Sequence, residues 1–255
     1  MSAPAPTSAA LPRPTIDVAE LVKTYSSAAG DVPVLKGVDL RADAGTWTAL
    51  MGPSGSGKST FLYCCAGLIR ATSGSVHLDG TDITGAAEKE LTDMRRTRVG
   101  FVFQQYNLIP ALTAAQNVAL PSLFDGTKPP RADVVGALES MGLGHRVDHH
   151  PEQLSGGEQQ RVAIARTLLQ KPSVVFADEP TGALESVSGA RVLRQFTALT
   201  ERGACVLMVT HDPVVAARAD RVLFLLDGQI VEEKAGAPVE EIAHRIATLE
   251  QITGE

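Results

Sequence analysis

The segment Gly52-Pro53-Ser54-Gly55-Ser56-Gly57-Lys58-Ser59 constrains the fold of this chain more than any other feature. It follows an apolar run at residues 47–51, which predicts a strand, and it precedes a predicted helix. Glycines let successive backbone N–H groups turn towards one anion, and the N-terminus of the following helix adds partial positive charge. The position between strand and helix therefore favours a phosphate-binding loop over a plain glycine-rich turn.

Two side chains at the end of this loop suit a nucleotide polyphosphate. The Lys58 ammonium would neutralise the β and γ phosphates, and the Ser59 hydroxyl would bind Mg²⁺. Magnesium is seldom enclosed by protein ligands alone and shares hydroxyl, carboxylate, water and phosphate oxygens. The segment therefore predicts ATP and Mg²⁺ as the bound groups.

A second motif is an apolar run at residues 173–177 that ends in Asp178 and Glu179. Ligands gather at such strand ends in open α/β sheets. We expect Asp178 to hold Mg²⁺ through water, and Glu179 to orient or deprotonate the water that attacks the γ phosphate. An acidic pair alone more often marks a solvated edge, but together with the phosphate loop it indicates hydrolysis.

A third motif, Leu154-Ser155-Gly156-Gly157-Glu158-Gln159, precedes a helix predicted to run to about Gln170. Ser155 at the N-cap and Glu158 three residues later form a capping-box pattern. Two glycines inside the helix start weaken it by about 1 kcal/mol each relative to alanine. Close approach of a ligand would explain them, and a plain capped helix is the alternative for this motif taken alone.

In this order, the three motifs resemble those of ABC-transporter ATPases, and the resemblance covers about residues 16–228. It implies an α/β fold, namely a P-loop NTPase core with an antiparallel β subdomain and a helical insertion. It also implies which residues contact the nucleotide: Tyr25, Gly52, Pro53, Ser54, Gly55, Ser56, Gly57, Lys58, Ser59, Thr60, Ser155, Gly156, Gly157 and Glu158.

Further residues are similar to single positions of the family pattern. Tyr25 resembles the aromatic that stacks on adenine, with an ordinary packed tyrosine as the alternative. Gln104 resembles the glutamine that senses Mg²⁺ and the partner, although Gln105 beside it is a second candidate. His211 resembles the histidine that contacts the γ phosphate and the catalytic acid, while a lone histidine at a strand end is more often structural. The resemblance thus implies catalytic residues Glu179, His211 and Gln104 and metal ligands Ser59, Gln104 and Asp178.

The resemblance also implies the partners. The family's signature motif corresponds to residues 154–159. One phosphate loop and one signature motif per chain imply a homodimer with ATP sandwiched between two copies, and this homodimer would drive a separate integral-membrane permease. The chain would then lie in the cytoplasm, on the inner face of the membrane. The permease contact is expected near the apolar side chains after Gln104, unless these pack within the subdomain: Tyr106, Leu108, Ile109 and Leu112.

Longer matches around residues 21–25, 51–60 and 159–166 resemble the branch that contains macrolide-efflux, lipoprotein-release and cell-division ATPases. An exporter is therefore predicted. A rival hypothesis is an ATPase that gates a membrane regulatory protein without transport, as in the cell-division members. ABC proteins of translation or DNA repair are a third class, disfavoured by the single cassette, the lack of a long coiled coil and the acidic charge.

The composition limits the remaining possibilities. Hydrophobic residues make up 44% and charged residues 20% of the chain, as in ordinary globular proteins. A formal net charge of -6, without a basic stripe, argues against a nucleic-acid surface. No apolar run reaches the roughly 18 residues of a membrane span. Three cysteines without metal-ligand spacing, two of them adjacent, favour a reduced cytoplasmic compartment.

Segment composition suggests the domain boundaries. Residues 1–14 are rich in Ala, Pro and Ser and are predicted to be a disordered tail. Residues 15–236 would form the ABC ATPase domain, with a helical subdomain at about 105–155 where the strand signal disappears. Residues 237–255 have the three-or-four spacing of an amphipathic helix, which would pack on the core or bind a partner. The predicted strands are residues 16–22, 34–40, 47–51, 76–78, 174–177, 204–209 and 222–226.

Glu185 departs from the family pattern, which usually has aspartate in the loop that links the two nucleotide sites. The extra methylene shifts the carboxylate by more than about 1 Å. We hypothesise intact hydrolysis with altered coupling between the sites. Equal ATPase rates and cooperativity in Glu185→Asp and the wild type would contradict this hypothesis.

Overall fold

Two β-sheets form the framework, and the computed structural model describes residues 14–27, 30–124, 126–182, 184 and 186–254. In chain order the strands are β1 (Ile16–Ser27), β2 (Gly30–Ala42), β3 (Trp47–Met51), β4 (Ser73–Leu78), β5 (Thr81–Asp82), β6 (Val99–Val102), β7 (Val174–Asp178), β8 (Cys205–Val209), β9 (Arg221–Leu226) and β10 (Gln229–Ala235). The smaller sheet is antiparallel and has the order β2-β1-β4-β5.

The larger sheet has the order β10-β9-β3-β8-β7-β6. Its strands from β9 to β6 are parallel, and β10 pairs antiparallel with β9. Every residue of β3, β7 and β8 is buried. Because side chains alternate between the faces of a strand, Leu50 and Phe176 enter one hydrophobic core, whereas Ala49 and Met208 enter a second core on the other face. Burial on both faces explains the continuously apolar sequences of these strands.

Helices cover the sheets and fill the segment between β6 and β7. They are α1 (Lys58–Cys65), α2 (Glu88–Thr97), α3 (Ala114–Phe124), α4 (Arg131–Ser140), α5 (Gly156–Gln170), α6 (Ser186–Glu201), α7 (Pro213–Ala216) and α8 (Val239–Thr253), with short 3₁₀ turns at Gly144–Arg146 and Pro151–Gln153. The predicted α/β core, antiparallel sheet and helical insertion are therefore confirmed. No described helix is long and apolar enough to cross a membrane.

The last helix packs on the larger core. Ile242 and Leu249 of α8 are buried in that core, and Ile246 packs against it from a partly buried position. Ion pairs from Lys234 of β10 to Glu241 of α8, and from Arg245 of α8 to Glu232 of β10, also connect the two elements. These contacts favour the packing interpretation of the C-terminal helix.

Some expectations remain predictions. Most of the predicted tail, residues 1–13, and Glu185 lie outside the described residues. The boundaries at residues 14, 236 and about 105–155 also stay predictions. The elements that are not predicted from the sequence include β5, β6, β10 and α2. All three cysteines are buried and free.

Candidate active site

The predicted site residues come together because they follow neighbouring parallel strands. The loop at residues 52–57 follows β3, His211 follows β8, Asp178 and Glu179 lie at the end of β7, and Gln104 follows β6. These four strands are adjacent in the order β3-β8-β7-β6. Since the carboxyl ends of parallel strands share one edge, the loops meet there.

The phosphate loop depends on glycine at two positions. A Cβ at Gly52 would lie 2.0 Å from the Leu225 carbonyl oxygen of β9, so no other residue fits without moving that strand. Gly57 adopts the left-handed conformation with φ 102° at the N-cap of α1. The helix N-terminus thus begins directly at the loop, as the sequence predicts.

Polar side chains of the loop are arranged around its own backbone. Lys58 Nζ donates hydrogen bonds to the carbonyl oxygens of Gly52, at 2.9 Å, and Pro53, at 2.7 Å. The Ser56 hydroxyl is buried and has no hydrogen-bond partner within the described part of the chain. A buried hydroxyl of this kind can donate to a phosphate oxygen.

Asp178 is 2% exposed and is bonded through both carboxylate oxygens. Ser59 Oγ donates to Oδ1 at 3.2 Å, and Tyr63 Oη donates to Oδ2 at 2.9 Å. Burial raises the pKa of Asp178, although the two hydrogen bonds act in the opposite direction. Burial, together with the bond to Asp178, raises the pKa of Tyr63 to about 12, so the Tyr63 hydroxyl keeps its proton at neutral pH and acts as a hydrogen-bond donor.

The Glu179 side chain lies between two of the predicted catalytic residues. Gln104 Nε2 donates to Oε2 at 3.0 Å, and His211 Nδ1 lies 3.2 Å from Oε1. The Glu179 backbone has φ 47° and donates its N–H to the Val209 carbonyl at 3.0 Å. Of the two adjacent glutamines, it is Gln104 that contacts the acid. The structure thus brings Gln104, Glu179 and His211 together.

The oxygens near Asp178 fit a magnesium ion that is shared with a nucleotide. Ser59 and Asp178 present hydroxyl and carboxylate oxygens, the ligands that Mg²⁺ prefers, within 3.2 Å of each other. Across the described residues, no group of three or more His, Cys, Asp and Glu side chains could enclose a metal. Nucleotide oxygens and water would have to complete the shell.

The Ser155–Glu158 motif forms the predicted capping box at the start of α5. Glu158 N–H donates to Ser155 Oγ at 3.3 Å, and Ser155 N–H donates to Glu158 Oε2 at 2.9 Å. Arg146 Nε donates to Glu158 Oε1 at 2.9 Å. Burial acts to raise the pKa of Glu158, but the bonds from Ser155 and Arg146 outweigh it and lower the pKa. Among the described residues, these bonds all stay within the helical segment.

At the N-terminus of α5, Gly156 lies close to the side chain of another residue of the same chain. A Cβ at Gly156 would lie 2.8 Å from the Tyr106 hydroxyl. Side-chain crowding therefore gives a reason for glycine at this position that does not require the close approach of a ligand.

Tyr25 lies in the β1–β2 hairpin, and its side chain is 40% exposed. Lys23 Nζ lies 4.7 Å from the centroid of its ring. Tyr25 pairs with Val32, two residues before Val34, whose carbonyl would lie 3.0 Å from a Cβ at Gly57. The hairpin thus runs beside the phosphate loop with a tyrosine ring on its exposed part.

The segment expected to contact a permease contains both exposed and buried apolar side chains. Ile109 is 41% exposed, whereas Leu108 packs against the larger core, as the subdomain-packing alternative expects. Tyr106 and Leu112 are partly buried.

Beside this segment lies a groove of about 680 Å³. Its lining, here named the α2–α3 groove, includes Leu68, Phe101, Phe103, Phe124, Arg96 and Arg166.

Two residues of the site are not predicted from the sequence. Tyr63 bonds to Asp178, and a tyrosine within an apolar helix gives no signal of this. Gln160 is 1% exposed, and its Nε2 donates to the Pro180 carbonyl at 3.2 Å and towards the Phe103 carbonyl at 3.5 Å. Gln160 lies on the same buried face of α5 as Ala163, Ile164 and Thr167. A glutamine at a position where the helical pattern expects an apolar residue is therefore a sequence signal from which its role could have been predicted.

The fold, together with the phosphate loop and the acid pair at the carboxyl edge of the larger sheet, defines a P-loop nucleoside triphosphatase. A family model described as ABC transporter matches residues 35–182, more than half of the chain. The macrolide export ATP-binding/permease protein MacB of Marinobacter nauticus is 43% identical over 224 residues, which cover 87% of this chain and 35% of that protein. The ABC transporter ATP-binding protein YvrO of Bacillus subtilis is 45% identical over 216 residues, covering 84% and 94%.

Among solved structures, the dimeric post-hydrolysis state of the ATP-binding cassette MJ0796, bound to ADP and Pi, matches with a TM-score of 0.83. It is 39% identical, and the match covers 88% of this chain and 99% of that one. The chain therefore belongs to the ABC transporter family and has the fold of its ATPase cassettes. It is an ATP-binding cassette that hydrolyses ATP.

Proposed function

We propose that this chain is the ATPase subunit of an ABC exporter, in which two copies hydrolyse ATP with Mg²⁺ and drive a separate membrane permease. The observation that carries the proposal is the convergence of Gln104 and His211 on the two carboxylate oxygens of Glu179, next to Asp178. Each side chain comes from a different strand end, so the arrangement requires the folded sheet.

This arrangement suits the in-line attack of water on a γ phosphate. Gln104 and His211 restrain Glu179, which can then orient one water and accept its proton. Lys58 and the N–H groups of the loop would hold the phosphates. Ser59 and Asp178, with Gln104 as a third candidate, would hold Mg²⁺. When bound, Mg²⁺ supplies positive charge that offsets the charge on the β and γ phosphates.

A homodimer would complete each nucleotide site. The capped N-terminus of α5, with Ser155 and Glu158, presents backbone N–H groups and partial positive charge, which suit a phosphate. In the proposed dimer, this terminus closes over ATP held by the loop of the other copy. The dimeric ADP and Pi complex of the similar cassette MJ0796 supports this assembly.

The α2–α3 groove is the proposed contact with the permease. Leu68 is 38% and Phe124 70% exposed, and Arg96 and Arg166 add positive charge to the lining. An amphipathic segment with an apolar face and an acidic side chain, from the cytoplasmic side of the permease, would complement this surface. The name of the similar MacB protein, which joins ATP-binding and permease, supports such a partner. The chain would thereby be held at the inner face of the membrane.

The test of the catalytic proposal is phosphate release by Glu179→Gln. We expect the rate to fall by about 10²- to 10⁴-fold, since the amide cannot accept the proton, while ATP affinity stays near the wild-type value. Glu201→Gln, an exposed substitution on α6, is the matched control and should keep the wild-type rate. Wild-type hydrolysis by Glu179→Gln would remove Glu179 from its proposed role.

Whether the partner exports a substrate or is only gated is tested with the partner itself. We expect the chain to co-purify with a permease, and vesicles carrying both to accumulate a substrate only when ATP is hydrolysed. ATP-dependent opening without net transport would favour the gating alternative.

A further inference from the structure

Tyr63 shares one face of α1 with the predicted magnesium ligand Ser59. It lies four residues after Ser59, and this spacing places both side chains on the same side of the helix. Ser59 bonds to one oxygen of Asp178 and Tyr63 to the other. The two hydroxyls together fix the rotation of the buried carboxylate.

The hydrogen bond from Tyr63 determines which oxygen of Asp178 faces Ser59. With Oδ2 engaged by a phenol at 2.9 Å, Oδ1 is the oxygen that faces Ser59. Partners that hold a metal-binding carboxylate in one orientation typically change metal affinity or activity by about 10- to 100-fold. Tyr63 is suited to this role because its aromatic ring is itself held by packing.

The ring of Tyr63 packs against residues that line the α2–α3 groove. Its centroid lies 5.7 Å from that of Phe101 and 6.5 Å from that of Phe103. The two phenylalanine rings are 4.1 Å apart, and both line the groove. A continuous series of contacts therefore runs from the groove through Tyr63 to Asp178.

We propose that Tyr63 is a positioning residue that orients Asp178 for Mg²⁺ and makes this orientation depend on the aromatic lining of the α2–α3 groove. The inference rests on the proposed function, because it takes Asp178 as the magnesium carboxylate. Occupancy of the groove by a partner would then alter Mg²⁺ binding through Phe103 and Tyr63, in addition to any effect through Gln104.

The first test is a Mg²⁺ titration of the full chain with a fluorescent ATP analogue, in the Glu179→Gln background so that hydrolysis is slow compared with binding. We expect Tyr63→Phe to weaken the apparent Mg²⁺ affinity by about 10-fold or more, because the ring remains but the hydroxyl is lost. Affinity for the same analogue in EDTA should not change. Unchanged Mg²⁺ affinity in Tyr63→Phe would overturn the proposal.

A matched control separates positioning from general destabilisation. Thr48→Val removes another buried hydroxyl, which accepts a hydrogen bond from Arg221 Nε at 3.0 Å and belongs neither to Asp178 nor to the groove. We expect it to lower the melting temperature without changing Mg²⁺ affinity. If Thr48→Val weakened Mg²⁺ binding as much as Tyr63→Phe, the hydroxyl of Tyr63 would have no specific role.

Asp178→Asn in the same assay separates the two proposals. We expect a larger loss of Mg²⁺ affinity than in Tyr63→Phe. If Asp178→Asn had no effect, the magnesium assignment and with it the inference would fail. If Asp178→Asn weakened binding and Tyr63→Phe did not, only the role of Tyr63 would fail.

The link to the groove is tested by a double-mutant cycle. Phe103→Leu should weaken the apparent Mg²⁺ affinity by a few-fold, and this effect should largely disappear when Tyr63 is already phenylalanine. Non-additivity of this kind supports transmission through the hydroxyl. Additive effects, or no effect of Phe103→Leu, would overturn this part of the proposal.

Discussion

Glu179 combines an uncommon backbone conformation with a fully engaged carboxylate. A φ of 47° places it in the left-handed region, which residues other than glycine adopt infrequently. Such conformations persist only where surrounding contacts enforce them, and they concentrate at functional sites. Here the N–H bond to Val209 enforces the turn at the end of β7, and the turn directs the side chain to Gln104 and His211.

Lys58 gives a direct test of the phosphate loop. Lys58→Ala removes the ammonium, so we expect ATP affinity to fall by about 10- to 100-fold, the value of one charged hydrogen bond. Equilibrium binding of a fluorescent ATP analogue measures this. Lys89→Ala, at an exposed position of α2, should bind as the wild type does. Equal affinity in Lys58→Ala and the wild type would contradict the phosphate-loop assignment.

Gln160 is expected to matter for stability because its amide bridges two loops of the site. Gln160→Met leaves the buried carbonyl of Pro180 and the partly buried carbonyl of Phe103 without this donor, so the free energy of unfolding should fall by about 1–3 kcal/mol. Denaturant unfolding measures the change. Gln159→Met also removes bonds to two carbonyls, but at a partly buried position, and should cost less. The reverse order would contradict the importance of the bridge.

At the residue scale, sequence patterns identify the site but not its contacts. Asp178, Glu179 and Lys58 stand out because charged side chains that directly follow an apolar strand or a glycine-rich loop indicate a ligand. Tyr63 does not stand out, because its role depends on α1 lying beside β7, a contact between residues 115 positions apart. The same limit applies to the choice between Gln104 and Gln105, which only the folded chain makes.

At the element scale, a strand that is buried on both faces gives a clear sequence signal. β3, β7 and β8 have continuously apolar sequences for that reason. β10 could not be predicted, because only Ile230 and Val231 are strongly apolar and its pairing is fixed by β9. In α2 only Leu91 and Met94 are buried, too few to give a helical period.

The two ends of α8 should respond differently to substitution. Ile242→Ala opens space in the larger core and should lower the free energy of unfolding by about 2–5 kcal/mol. Ile252→Ala, at a position 65% exposed, should change it by less than about 0.5 kcal/mol. Thermal or denaturant unfolding distinguishes them. If Ile242→Ala were as mild as Ile252→Ala, the helix would not be part of the folded core.

At the scale of the whole molecule, one sheet separates two hydrophobic cores and presents the site at its edge. Loops from β3, β8, β7 and β6 carry the phosphate loop, His211, the acid pair and Gln104. The signature motif lies instead on the helical segment, where its bonds are local. In the proposed function both of these separate surfaces would face nucleotide, and their separation is the physical basis for expecting self-association.

Dimerisation should therefore depend on nucleotide. Glu179→Gln with ATP and Mg²⁺ is expected to elute as a dimer in size exclusion with light scattering, since ATP is bound and not consumed. The same protein with ADP should elute as a monomer, because the γ phosphate is missing. Adding Lys58→Ala should abolish the dimer. A monomer under all conditions would contradict the sandwich arrangement.

The charged outer strand of the larger sheet has a consequence for assembly. β10 is an edge strand, and its side chains include Glu232, Glu233 and Lys234, held by ion pairs to one another, to Arg221 and to α8. An open edge can recruit a strand from another molecule and lead to aggregation, and charged side chains oppose this. The charged edge thus disfavours pairing of β10 with a strand of another molecule. Two copies would then associate through the nucleotide-dependent surfaces of the proposed dimer instead.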